Sequence, residues 1–63
     1  MRDPDRLDYF YEVLKKDHKN YFPDWRFGQL IYNFLGWYGA DPFYLEEDAF
    51  LQEWKKFIKE TVG

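Results

Sequence analysis

The stretch that decides the fold runs from Pro23 to Gly39 and reads Pro-Asp-Trp-Arg-Phe-Gly-Gln-Leu-Ile-Tyr-Asn-Phe-Leu-Gly-Trp-Tyr-Gly. At about 100° per residue, its apolar side chains fall within roughly half of a helix circumference. They are Phe27, Leu30, Ile31, Phe34, Leu35, Trp37 and Tyr38. Asp24 suits an N-cap, and Gly39 suits the left-handed residue that often ends a helix. The stretch therefore predicts a central helix over residues 25–38 with its apolar half in the core.

The opposite half of this predicted helix carries an unusual set of side chains for a solvent face. It consists of Trp25, Arg26, Gln29, Tyr32, Asn33 and Gly36. Polar and charged residues ordinarily fill an exposed helix face, whereas Trp, Tyr and Arg dominate the energy of protein interfaces. Two interpretations stay open: the chain itself covers this face, or the face contacts a partner. At its edge, Gly28 indicates close approach by a neighbouring helix, by Trp25 or by a partner.

Two further amphipathic helices flank the central one. Asp3 as N-cap and Pro4 at the first helical position predict a helix over residues 4–19, and a third helix is predicted over residues 46–61. The first apolar stripe is Leu7, Phe10, Tyr11, Leu14 and His18, and the other is Phe50, Leu51, Trp54, Phe57, Ile58 and Val62. Trp54 lies in the middle of its stripe, so we expect it to be buried against both other helices.

The connection before the last helix contains its own start signal. Asp41-Pro42-Phe43-Tyr44 predicts a short extra helical turn, because Asp caps and Pro suits the first position of a helix. Phe43, Tyr44 and Leu45 would then form a hydrophobic plug between the second and third helices. The acids of 46–48 suit the positive end of a helix dipole and are expected to face water, with metal binding as the alternative. The chain is thus predicted to be all-α, a small three-helix domain over residues 1–63.

Length and composition limit the classes of function. The chain has 63 residues and no Cys, so no disulfide compensates for its small core. Seven Phe, six Tyr and three Trp are many for such a core, which predicts exposed aromatics and a protein partner or a homodimer. A formal net charge of −3 argues against a non-specific nucleic-acid binder and makes a nucleic-acid partner the less favoured one. Neither a membrane-spanning run nor a signal segment is recognisable, so we expect a cytoplasmic protein without membrane contact.

The side chains that usually carry catalysis are scarce. Cys and Ser are absent, Thr61 is the only Thr, and His18 is the only His. His18 lies at the edge of an apolar stripe, which favours a packed or capping histidine over a catalytic base. The nearby basic residues of 15–19 suit a helix C-terminus, with a phosphate-contacting patch as the alternative. We therefore predict no enzyme activity, no cofactor and no metal site.

Three segments together resemble a family of short, uncharacterised bacterial and phage proteins. They are Arg2-Asp3-Pro4 before an amphipathic helix with Arg6, then Pro23-Asp24-x-Arg26-x-Gly28-Gln29-Leu30-Ile31-x-Asn33, then Asp41-Pro42-Phe43-Tyr44-x-Glu46. Their order and spacing span most of the chain. The resemblance supports a small helical fold and implies no activity.

The leading hypothesis is a small protein-interaction or regulatory module without catalytic activity, in which the Trp25 face contacts the partner. The alternative is a nucleic-acid-associated regulator with a helix-turn-helix-like arrangement, in which Arg26, Gln29 and Asn33 offer groups to base edges. DNA binding that weakens steeply with salt would favour the second hypothesis.

Overall fold

The computed structural model describes residues 2–63, and this part of the chain contains three helices joined by short connections. They are α1 (Arg6–Tyr21), α2 (Phe27–Tyr38) and α3 (Glu47–Val62). No strand occurs within the described residues. The prediction of a small all-α domain of three helices is confirmed, with helix starts one or two residues later than expected.

The start of α1 is preceded by a separate turn. The carboxylate of Asp3 accepts a hydrogen bond from the backbone N–H of Asp5 at 3.0 Å, and its carbonyl accepts from Arg6 at 3.2 Å. Pro4 lies inside this turn, and the residue that directly precedes the helix is Asp5. Asp3 therefore caps the turn that leads into α1 rather than the helix itself.

The predicted N-cap of α2 is wrong. The residue before the helix is Arg26, and its backbone N–H donates to the side-chain oxygen of Gln29 at 2.7 Å. Asp24 instead lies within a turn closed by a hydrogen bond from Trp25 N–H to Phe22 O. Because this turn takes up two more residues than expected, the carboxylate of Asp24 does not reach the helix start. The C-terminal end of α2 is as predicted, because Gly39 ends the helix in the left-handed conformation. Its φ is 74°, and its N–H donates to Leu35 O.

The helix that lies against both others is α3, not the predicted central helix α2. α3 packs along α1 and along α2, whereas α1 and α2 make few contacts with each other. Phe10 of α1 meets Phe50, and Asp17 meets Trp54 further on, so α1 and α3 run in the same direction. The buried residues are Phe22, Leu30, Phe34, Leu51, Trp54, Phe57 and Ile58. The core thus comes from α2, α3 and the α1–α2 connection, with no fully buried side chain from α1.

Trp54 occupies the middle of this core and has no exposed surface. Phe34 and Phe57 lie against its ring, with centroids 5.5 and 5.9 Å away. Its indole Nε1 donates to Asp17 Oδ2 at 3.0 Å, which satisfies the buried N–H. The predicted burial of Trp54 is confirmed, and the sequence pattern did not reveal its polar partner on α1.

Two of the acids at the start of α3 form ion pairs rather than simply facing water. Arg2 pairs with Glu46, and the Nε of Arg6 donates to Glu47 Oε1 at 2.7 Å. The hydrogen bond from Arg6 holds the pKa of Glu47 below its ordinary value, against the opposing effect of desolvation. These contacts join the beginning of the chain to the start of α3.

The predicted turn before α3 forms, but the hydrophobic plug does not. Asp41 Oδ1 accepts from Phe43 N–H at 3.0 Å, and Leu45 N–H donates to Pro42 O. Phe43 is 76% exposed and Tyr44 87% exposed, and their rings contact each other edge-on outside the core. The tight turn points both rings away from the helices, and only Leu45 is half-buried.

Candidate functional site

The predicted contact face on α2 is largely open to solvent. Tyr32 is 79% exposed, and Arg26, Asn33 and Gly36 are exposed as well. Neither the 20–24 connection nor the 41–45 turn covers these four residues. Tyr32 and Asn33 also line a shallow depression of about 490 Å³, together with Trp25, Gly28 and Gln29.

Trp25 and Gln29 of this face are already engaged within the chain. The ring of Trp25 is half-buried and stacks on Phe22, with centroids 4.4 Å apart. Its carbonyl oxygen accepts a hydrogen bond from His18 Nε2 at 2.8 Å. The side-chain oxygen of Gln29 holds the N–H of Arg26. His18 is therefore a packed, hydrogen-bonded histidine, the first of the two predicted alternatives, because it is half-buried and joins the end of α1 to the residues that precede α2.

The glycines of the face do not mark a close approach within the chain. A Cβ added at Gly28 or at Gly36 would meet nothing within 4 Å. The interpretation that Gly28 admits Trp25 or a neighbouring helix is therefore wrong. α1 and α2 make few contacts with each other, so α1 does not pack over this side of α2.

A larger groove lies between α1 and α2. Because both helices pack on α3 and barely touch each other, a space of about 580 Å³ stays open between them. Its floor contains Leu30 and Trp54, which are 2% and 0% exposed. Its apolar walls are Leu7, Tyr11, Leu14, Phe27 and Ile31. The groove runs beside α1 and is lined mainly by apolar side chains.

Two aromatic residues of this groove were expected to face the core and do not. Phe27 is 66% exposed and Tyr11 is 60% exposed. Each lies at the edge of an apolar stripe that turns towards the other helix. Since α1 and α2 do not close on each other, these edges have no neighbour to cover them. Val62, also predicted on a core stripe, is 51% exposed because it lies in the final turn of α3.

Charged side chains border the groove along α1. Asp8 and Glu12 lie in the first half of the helix, and Lys15 lies in the second half. All three are exposed, and none forms an ion pair with another residue of 2–63. The groove thus combines an apolar interior with unpaired charges of both signs at its border.

No protein-family model matches the chain, and neither a curated protein nor a solved structure matches it. The resemblance to short bacterial and phage proteins therefore stays a prediction. Over residues 2–63, no helix combines the length and the apolar character needed to cross a membrane. In the same residues, no cluster of three or more His, Asp or Glu side chains is arranged to hold a metal ion.

Proposed function

We propose that this domain is a non-catalytic protein-interaction module that binds an amphipathic helix in the groove between α1 and α2. The observation that carries the proposal is the pair of exposed rings, Tyr11 and Phe27, beside the buried floor of Leu30 and Trp54. Helix-in-groove recognition uses an apolar groove of this kind, into which the partner helix lays its apolar face.

The dimensions and chemistry of the groove fit such an occupant. α1 has 16 residues and is therefore about 24 Å long, which matches a partner helix of roughly four turns. The groove has aromatic residues inside and charged residues at its border, as protein interfaces have an apolar core and a polar rim. Burying Tyr11 and Phe27 would remove two large apolar side chains from water.

The Trp25 face supports the same class of function less strongly. Trp25 and Gln29 already bind within the chain, which leaves Arg26, Tyr32, Asn33 and Gly36 for a partner. Its depression is also lined by two amides, so a partner would bury less apolar surface there. We therefore place the main contact in the groove and keep the Trp25 face as a second contact surface.

A protein partner is favoured over the nucleic-acid alternative. The base-reading set of the alternative was Arg26, Gln29 and Asn33, and the side-chain oxygen of Gln29 is occupied by the helix start. A net charge of −3 also offers little attraction to phosphates.

Site-specific photo-crosslinking tests the proposal. A benzophenone amino acid replaces Phe27 in the groove, and in a control protein it replaces Tyr44, which is equally aromatic and 87% exposed. We expect adducts with protein, either this chain or another, at position 27 and far fewer at position 44. The added substitution Ile31→Lys should remove the adducts at position 27. Equal yields at both positions, or a yield that Ile31→Lys leaves unchanged, would contradict the proposal.

A further inference from the structure

We infer that the occupant of the groove is α1 of a second copy of this chain, lying antiparallel to the first α1 across a two-fold axis. The inference rests on the proposed function, because it requires the groove to bind a helix. It adds the identity and direction of that helix, and it is carried by the order of charges along α1.

Four charged residues form one stripe along α1, and the first three of them line the groove. Asp8, Glu12, Lys15 and Lys19 are separated by four, three and four residues, so they follow each other on one side of the helix. The two acids come first and the two bases follow. All four are exposed, and none forms an ion pair with another residue in the described chain. The stripe therefore has one acidic half and one basic half, both available to a partner.

This order is complementary to itself only when two copies of α1 run in opposite directions. With the two-fold axis between residues 13 and 14, Asp8 lies opposite Lys19 of the second copy. The same axis also places Glu12 opposite Lys15 of the second copy. A single midpoint thus satisfies both pairs, and the symmetry repeats each of them. A parallel arrangement would instead place acids beside acids and bases beside bases, which is unfavourable.

The apolar residues agree with this arrangement. An isologous interface uses the same patch on both copies, so each Tyr11 and each Phe27 would be covered at the same time. A standard interface takes about 800 Å² from each partner, which is roughly a sixth of the 5098 Å² surface of this chain. A second copy therefore covers the aromatic groove and pairs the border charges together.

Charge reversal tests the inference by sedimentation velocity. One variant carries Asp8→Lys with Glu12→Lys, and the other carries Lys15→Glu with Lys19→Glu. The wild type should dimerise as its concentration rises to roughly millimolar, where even weak interfaces assemble. Each variant alone should lose self-association by more than about tenfold, because every cross-pair becomes a like-charge pair. An equimolar mixture of the two should form a heterodimer, and a protein with all four substitutions should dimerise again.

A matched control separates local pairing from overall repulsion. Lys55→Glu with Lys59→Glu changes the net charge by the same amount on the exposed side of α3 and should leave the dimer intact. Circular dichroism on every variant checks that the helices are retained.

The outcomes distinguish the inference from the function on which it rests. A monomeric wild type, a charge-reversed variant that still dimerises, or a mixture that forms no heterodimer would overturn the second copy as occupant. If crosslinking at Phe27 then yields adducts with a different protein that Ile31→Lys removes, the groove still binds a partner. If position 27 gives no such adducts, the proposed function fails as well.

Discussion

On one side of α1, facing α3, the rings of Phe10 and Phe50 meet edge-on with centroids 5.3 Å apart, and Asp17 binds the indole of Trp54. On the other side, facing α2, Tyr11 is 60% exposed and an open groove takes the place of a helix contact. Both sides belong to one apolar stripe in the sequence. The difference shows what happens when an apolar stripe is wider than a single neighbouring helix can cover. One edge of the stripe then stays exposed and is available to a partner.

The largest expected effect lies on the closed side. Trp54→Ala should destabilise the domain by about 3–5 kcal/mol, because it leaves a large cavity among Phe34, Phe57 and Leu30. That loss is comparable with the whole stability of so small a domain. Thermal unfolding followed by circular dichroism measures it. A shift of only a degree or two would show that α3 does not pack around this side chain.

The second effect concerns the hydrogen bond between Asp17 and Trp54, and it measures this polar contact separately from the apolar packing between α1 and α3. Asp17→Ala should cost about 1–3 kcal/mol, because the buried Nε1–H of Trp54 loses its acceptor. Asp17→Asn keeps an acceptor oxygen at the same position and should cost less. Chemical denaturation of both variants gives the two free energies of unfolding. Equal losses for Ala and Asn would mean that the carboxylate charge matters, and not only the hydrogen bond.

The third effect lies on the open part of α2. Gly28→Ala should stabilise the protein by up to about 1 kcal/mol, because a Cβ there meets nothing and Ala favours the helix over Gly. Gly39→Ala is the opposite control and should destabilise by a similar amount, since φ 74° strains any residue with a Cβ. Melting temperatures of the two variants check both signs. A destabilising Gly28→Ala would reveal a close neighbour at this position.

The smallest effect concerns the ion pair of Arg6 and Glu47 at the start of α3. The pair holds the pKa of Glu47 below its ordinary value of 4.5, so its stabilisation is present above that pH. As the pH falls through the lowered pKa, Glu47 takes up a proton and the stabilisation is lost. Arg6→Gln should therefore lower the melting temperature slightly at pH 7, and the gap between the two proteins should narrow in acid; a small part stays because Arg6 also donates to the carbonyl of Asp3. A gap that stays constant down to about pH 2 would exclude Glu47 as the partner.

Periodicity in the sequence predicted the three helices, because apolar side chains recur at helical spacing in every one of them. It also predicted the burial of Trp54, which lies at the centre of its stripe, and the capping role of Gly39. Those features depend on local chemistry. They need no knowledge of how the helices are arranged.

The wrong predictions share one physical cause: they concern the arrangement of the helices and connections in space, which the local spacing of side chains does not determine. The spacing that marks Phe27 as apolar does not say whether a helix covers it, and α2 proved to have only α3 as a close helical neighbour. The turn at Asp24 and the outward rings of Phe43 and Tyr44 depend on backbone paths of the connections. The groove could have been suspected only from the number of aromatics, which exceeds what such a core holds.

The central claim is that the groove edge belongs to an interface and not to the core. The melting temperature as a function of protein concentration tests it most directly, with the wild type and Phe27→Ser compared over the same range. A protein stabilised by self-association melts at higher temperature when it is concentrated. We expect the two proteins to melt alike at high dilution and only the wild type to gain stability with concentration. A variant that melts well below the wild type at every concentration would place Phe27 in the core and contradict the account.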